Sequence, residues 1–265
     1  MVILVADVGA THTRFALVEN NTLHELFDKT SINITSFAAE VQTYLLHVQT
    51  KGYVPIRAAI AATGRHDTEN IKHPSLPFTV SKKDLIENTS LQDVRIANDL
   101  YVVANAATSD CIAIGVGTGL GTAFKKGNTT NALEAGHLLF NPQTQKETSL
   151  SKYVSKKYQR PTQYEDIVSG RGILDVYNFV SEDTELFDAS KVFSLNSSDA
   201  QETRHIFSDV LMRFCFELQT KVGVQKILFV GSVIQNNSQL IKHKDMRVSQ
   251  DPNITLKSAA SLFDM

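Results

Sequence analysis

The stretch VILVADVGATHTRFALVE, residues 2–19, sets the reading of the whole chain. An apolar run from Val2 to Ala6 leads into Asp7, a glycine and small hydroxylated residues. Arg14 and a second apolar run follow. The first run predicts a strand buried on both faces, and Arg14 to Glu19 predicts a second strand. Asn20-Asn21 tolerates positive φ, so Thr22 to Phe27 reads as the third strand of a meander. The design restarts at Cys111. Cys111 to Val116 is an apolar strand, GVGTGLGT (residues 115–122) holds a small-residue turn, and Thr122 to Lys126 follows. Gly127-Asn128 turns the chain again and Ala132 onward returns. Two copies about 110 residues apart predict two related α/β lobes with a cleft between them, where ligands tend to bind.

The elements between the copies follow from periodicity. Phe37, Val41, Tyr44 and Val48 step by four and three, which predicts a helix from about Ser36 to Lys51, capped by Ser36 and ended by Gly52. Arg57 to Ala62 reads as a buried strand, Arg95 to Ala97 as the start of a shorter one, and Leu100 to Ala107 as a helix. HPSLPF, His73 to Phe78, reads as a surface loop. The longest helix is expected from about Asp199 to Val222, with Asp199 and Glu202 as a capping box and Gly223 closing it. Lys226 to Val230 is a last buried strand.

Bulk properties narrow the class. A chain of 265 residues is long enough for one large domain or two small ones. Hydrophobic residues make up 42% and charged residues 20%, which places it with globular proteins. A net charge of −2 offers no electrostatic case for nucleic acid or an anionic membrane. Cys111 and Cys215 both sit in apolar runs and are expected as buried thiols. No basic segment precedes an apolar one at the start, and no apolar run approaches the ~18 residues of a membrane span. A cytoplasmic protein is the expectation.

Five stretches carry chemistry, and each has two readings. In DVGATHTR, residues 7–14, Gly9 permits close backbone approach, successive N–H groups can face an anion, and Asp7 is placed to hold a hydrated Mg²⁺. The other reading is a hairpin corner in which Asp7 bonds local N–H groups. GVGTGLGT has glycines at 115, 117, 119 and 121. It is neither the dinucleotide GxGxxG nor a P-loop. It reads as a glycine-rich hairpin with Thr118 at its tip, either a phosphate contact or a tight corner. Asn98-Asp99 is either a helix cap or a polar pair carrying a carboxylate base. Glu134 and His137, in EAGHLLFNP, either converge on a small polar ligand or hold a structural histidine. Glu165 precedes Ser169-Gly170-Arg171-Gly172, either an anion-binding helix start or plain cap and turn residues.

Taken in order, these pieces resemble one family. DVGATHTR, ANDL (97–100), GVGTGLG (115–121), EAGH (134–137), EDIVSGRG (165–172) and LFVGS (228–232) are similar to the bacterial-type glucokinases of the sugar kinase and actin ATPase superfamily. The resemblance implies a duplicated ribonuclease-H-like (actin-like ATPase) fold with an interlobe cleft. It implies a small lobe over residues 1–105, a large lobe over 106–252, and a C-terminal helix at about 253–265 returning to the first. It implies transfer of the ATP γ-phosphate to the 6-hydroxyl of glucose, with ATP and Mg²⁺ as cofactors. Asp99 then matches the catalytic base, and Asn98, Glu134, His137 and Glu165 match residues that bond the sugar hydroxyls. Asp7 matches the residue that positions Mg²⁺ through water. Gly9 and Thr11 belong to the first phosphate loop, Gly117, Thr118 and Gly119 to the second, and Gly231 to the adenosine site. A homodimer is expected by resemblance alone.

The departures touch ATP more than sugar. Ala10 stands where the family has a second glycine, and His12 where it has Asn. Ser232 replaces the second glycine of the adenosine strand, and Lys257 another glycine of the late helix. Lys72 to Leu76 replaces an Asn-His-x-Trp-like piece, and the chain is shorter than usual before Cys111. They motivate an alternative, a sugar-binding or regulatory homologue with weak or no kinase activity. An ROK-type kinase would carry a Cys-rich zinc motif after the Glu-x-Gly-His segment, which this chain does not. A type III pantothenate kinase would not explain Glu134, His137 and Glu165 together.

Overall fold

Strands β1 (Ile3–Val8), β2 (His12–Glu19) and β3 (Thr22–Thr30) form the expected meander. Asn20 and Asn21 take the positive φ of its second turn, 49° and 61°. The computed structural model describes residues 2–181 and 188–264, and Met265 of the expected C-terminal helix lies outside them. The chain divides into two compact units, one of residues 1–108 with 251–265 and one of residues 109–250.

In the first unit, α1 (Phe37–Gln49) follows the meander, with Ser36 Oγ accepting from the Ala39 N–H as its cap. β4 (Arg57–Ala62) comes next, then the short β5 (Arg65–His66), β6 (Asn70–Lys72) and β7 (Thr79–Ser81), which make a small antiparallel sheet of their own. Helix α2 (Lys82–Asn88), strand β8 (Asp93–Asn98) and helix α3 (Asp99–Asn105) complete the run. The main sheet has the order β3-β2-β1-β4-β8, with β1, β4 and β8 mutually parallel. Leu4, Ala6 and Val8 alternate onto the face covered by Phe37, Val41, Tyr44 and Val48 of α1. HPSLPF is a loop as expected, but not a purely surface one. Phe78 is only 7% exposed and stacks on Phe37, ring centroids 5.6 Å apart. Burying such a ring contributes roughly 1.5–3 kcal/mol, so this loop helps hold the core.

The second unit repeats the plan. β9 (Cys111–Val116), β10 (Leu120–Lys126) and β11 (Thr129–Leu133) form a meander. Helices α4 (Gln145–Tyr158), α5 (Gly170–Ser181), α6 (Ala189–Ser194) and α7 (Ser198–Val222) follow. β12 (Ile227–Val230), α8 (Ser232–Gln235) and β13 (Met246–Val248) close the unit. Its sheet order, β11-β10-β9-β12-β13, matches the first strand for strand, again with three parallel members. The duplication inferred from two similar turns is therefore a duplication of whole sheets. The cap of α7 differs from the expected capping box: Ser197, two residues before Asp199, accepts from the Ala200 N–H, and Asp199 lies in the first turn. Cys111 and Cys215 are both free and buried.

Helix α9 (Ile254–Ala259) belongs to the first unit and continues as a 3-10 turn over Ala260–Phe263. Leu256, Ala259 and Leu262 pack on Val5, Ala16, Ala59 and Ala61, the opposite sheet face from α1. No helix of the described residues is long and apolar enough to cross a membrane.

Candidate active site

Three parallel strands of the first unit end together. Asp7 pairs across to Ala61 of β4, and Ala61 to Ala97 of β8, so Asp7, Ala62 and the Asn98-Asp99 pair share one strand-end edge. Ligand sites of open α/β sheets form at such carboxyl ends. Asn98 caps α3: its Oδ1 accepts from the N–H groups of Leu100 and Tyr101, both at 3.0 Å. Asp99 Oδ1 accepts from Leu100 N–H at 2.9 Å. The cap reading thus holds, and it leaves the Asn98 Nδ2 donors outside the cap. Asp7 keeps part of its surface open, yet protein surrounds its carboxyl, and its pKa is pushed up to about 7. Burial is the main cause, followed by the negative charge of Asp99, with Arg14 pulling the other way. No hydrogen bond from a described residue reaches that carboxylate, contrary to the hairpin-corner reading.

The turn after β1 is fixed from below. Gly9 N–H donates to His12 O at 2.9 Å, and a Cβ on Gly9 would sit 3.2 Å from the same oxygen, so close approach explains this glycine. Ser31, fully buried, serves two of the turn's carbonyls: its Oγ donates to Gly9 O at 2.7 Å and its N–H to Thr11 O at 2.9 Å. Thr13 is also fully buried and pairs with Ser31 Oγ at 2.9 Å, so its hydroxyl braces the turn and is not presented to a ligand. Arg14 Nε donates to Asp28 Oδ2, and His12 Nδ1 lies 2.8 Å from Asp28 Oδ1. Burial raises Asp28, but these partners outweigh it and hold the carboxyl below its usual range. Arg14 is thus engaged on β3, while Thr11 remains exposed.

In the second unit, β9 runs into the turn 117–119, where Gly117 N–H donates to Gly119 O and Thr118 is exposed. Gly117 O accepts from Gly170 N–H at 2.7 Å, tying the turn to the start of α5. Glu165 sits on a 3-10 turn, Tyr164–Asp166, and its Oε2 accepts from Leu120 N–H at 3.3 Å. A Cβ on Gly119 would stand 2.9 Å from that same oxygen. His137, on a second 3-10 turn (Ala135–His137), has Nδ1 3.9 Å from Glu165 Oε1 and 3.2 Å from Gln163 Oε1. Its Nε2 is 3.4 Å from Glu134 Oε2. Glu134, His137 and Glu165 therefore form one cluster beside the glycine turn. Ser169 favours the cap reading of its stretch: its Oγ donates to Glu165 O and accepts from Gly172 N–H. Gly231 has φ 96°, and a Cβ there would lie 2.6 Å from Val116 O, so the end of β12 requires glycine. Ser232 is the exposed first residue of α8.

Several contributors escape sequence reasoning. Ser31 lies outside every quoted motif, and Asp166 and Arg171 lie within EDIVSGRG but had no side-chain role assigned; their partners are set by tertiary placement. Among the described residues, no group of three or more His, Cys, Asp or Glu is arranged to hold a metal ion.

A family model for glucokinase matches residues 4–110 and 105–249. The chain belongs to the glucokinase family. A glucokinase of Nostoc sp. is 25% identical to this family member over 235 residues, which cover 76% of this chain and 68% of the relative. The fold agrees with solved glucokinase structures. One from an Antarctic psychrotroph matches with TM-score 0.80 at 20% identity, covering 99% of this chain and 98% of the other. An ROK family glucokinase from Streptomyces griseus, in complex with glucose and AMPPNP, matches with TM-score 0.71 at 16% identity, covering 99% of both. These likenesses establish the duplicated actin-like ATPase fold, and membership of the glucokinase family makes the chain an enzyme of the kinase class.

Proposed function

We propose that the chain transfers the γ-phosphoryl group of ATP to the 6-hydroxyl of glucose, with Asp99 as general base. The observation that supports this reading is the shared strand-end edge of Asp7 and Asp99, two carboxylates close enough to repel, suited to one role each at metal-bound phosphate and in proton transfer. Family membership and the nucleotide analogue and glucose bound by the Streptomyces griseus protein support it.

Phosphoryl transfer needs positioning and charge stabilisation more than covalent chemistry. Asp99 accepts the proton of the attacking hydroxyl, a role worth roughly 10²–10⁴ in rate. Asn98, Glu134, His137 and Glu165 pair the remaining sugar hydroxyls, so an analogue lacking one leaves a polar group unpaired and is rejected. Gly9 and Gly117 spend their N–H groups inside their turns, so the donors the turns offer to phosphate oxygens are the later N–H groups, of Ala10, Thr11, Thr118 and Gly119, and Gly231 keeps Cβ atoms from the adenosine. Mg²⁺ fits the donor set: it is commonly bound by one or two carboxylates together with water and substrate phosphates, and Asp7 is such a carboxylate, without a hydrogen-bond partner of its own. Asp7 would hold the ion through water, and the ion when bound neutralises phosphate charge. The setting proposed is the cytoplasm, at the entry to glycolysis, as a homodimer.

The deciding experiment measures ADP release with ATP and a panel of hexoses, alongside Asp99→Asn. Glucose-dependent release in the parent, and its loss in a variant that still binds glucose by calorimetry, is expected. Full turnover in Asp99→Asn would remove Asp99 from its role. Glucose binding with no release above that variant would establish the sugar-binding alternative.

A further inference from the structure

Glu165 is the most enclosed acid of the proposed sugar cluster. Its side chain is 19% exposed, against 52% for His137 and 82% for Glu134. An enclosed carboxylate recognises hydroxyls only in the orientation in which it is held, so whatever orients Glu165 sets recognition. One of its oxygens, Oε2, faces Leu120 N–H. The other, Oε1, faces Arg171, whose Nη2 lies 3.4 Å away.

Arg171 stands in the first turn of α5 with two further anchors. The same Nη2 donates to Asp166 Oδ1 at 3.1 Å. The guanidinium also lies over the Tyr158 ring, Cζ 5.0 Å from its centroid, and Tyr158 OH donates to the buried Asp175 at 2.6 Å. Asp166 does not need Arg171. It is fully buried, yet Arg160 grips both of its oxygens with two bonds of 2.7 Å, and Gln163 N–H donates to it at 2.9 Å. A bidentate guanidinium already satisfies a carboxylate. Glu165 Oε1 has a second basic neighbour, His137, but its Nδ1 stands 3.9 Å away, beyond hydrogen-bond reach, so the side-chain hydrogen bond to that oxygen comes from Arg171.

We propose that Arg171 is a positioning residue for sugar recognition, fixing the Glu165 carboxylate while Asp166 and Tyr158 fix Arg171. The inference rests on reading the chain as a glucose kinase. Lysine is not equivalent at such a place, since an ammonium lacks the planar guanidinium that lies over a ring while its edge donates.

The test compares wild type, Arg171→Ala and Arg171→Gln by calorimetric titration with glucose alone and by steady-state kinetics with ATP. Arg171→Ala is expected to weaken glucose binding at least tenfold and to raise the KM for glucose by a similar factor. Its KM for ATP stays within twofold, and kcat at saturating glucose within threefold. Arg171→Gln, which keeps one planar donor for Glu165, falls between. Glucose affinity within twofold of wild type in Arg171→Ala overturns the proposal. So does an equal rise in both KM values, which marks general loosening. Should Arg171→Ala fail to fold, Arg171→Gln decides: a loss of glucose affinity of threefold or more supports the proposal, and a smaller one overturns it. A wild type that neither binds nor phosphorylates glucose defeats the kinase reading as well, before any variant is compared.

Discussion

The backbone N–H of Leu120 donates to Glu165 Oε2 at 3.3 Å, so the glycine turn after β9 and the carboxylate of the proposed sugar cluster are joined by a hydrogen bond. On the proposed reading, phosphate and sugar recognition in this unit share a part. Gly119 lies at the join, and a methyl group there would stand 2.9 Å from the same oxygen. The obstacle is the far end of a side chain, so the backbone can stay while Glu165 swings away. Gly119→Ala is expected to raise the KM for glucose roughly tenfold. The Tm should fall by no more than about 3 °C, the equivalent of ~1 kcal/mol in a chain of this size. A variant that melts far earlier with an unchanged KM would contradict the argument.

Asp7 gives a pH signature. Burial first, and Asp99 second, raise its pKa from about 4 to about 7. Between those values the folded chain keeps a proton that the unfolded chain has released. The contribution of Asp7 to stability is thus present below about pH 4 and lost as pH rises through about 7. Asp7→Asn does not titrate. In Mg²⁺-free buffer it should match the parent near pH 4 and exceed it at pH 8 by on the order of 1–3 kcal/mol. Urea unfolding at a series of pH values reads this directly, and a gap that does not widen with pH would refute it.

Two glycines of the second unit should behave oppositely on substitution. Gly231→Ala places a Cβ at φ 96° and 2.6 Å from Val116 O, a backbone atom of the neighbouring strand. A loss of roughly 2–4 kcal/mol is expected. Gly117→Ala meets nothing within 4 Å and should leave the Tm nearly unchanged. Similar Tm values for the two variants would mean that the β12 end tolerates a side chain.

Ser232 follows Gly231 at the exposed start of α8, where the family has a second glycine. If its Cβ crowds the nucleotide, Ser232→Gly should lower the KM for ATP two- to fivefold and leave the KM for glucose alone. An unchanged or higher KM for ATP would dismiss the crowding.

What was legible in the sequence was what local chemistry controls. Buried parallel strands are continuous apolar runs, so β1, β4, β9 and β12 read at once. α4 escaped because, apart from Glu147, only Leu150 and Val154 of its fourteen residues are buried, too narrow a stripe to show a helical period. β5, β6 and β7 are two or three residues long, below the length at which alternation is visible. In the candidate site, residue types were legible and directions were not. Thr13 and Thr11 look alike in the sequence, yet pairing with Val8 sends Thr13 inward to Ser31. Ser31 had no local signal, and Arg171 stood in a singled-out stretch without a legible partner, because each acts on a group that only folding brings beside it.

The return of residues 251–265 to the first unit has a consequence for synthesis on the ribosome. The sheet face carrying Val5, Ala16, Ala59 and Ala61 is covered by Leu256, Ala259 and Leu262, which are translated after the whole of the second unit. Residues 109–250 are contiguous and complete their unit as soon as they emerge. Residues 1–108 therefore emerge before the second unit yet complete their own unit after it, and their nascent form carries an open apolar face until residues 251–265 follow.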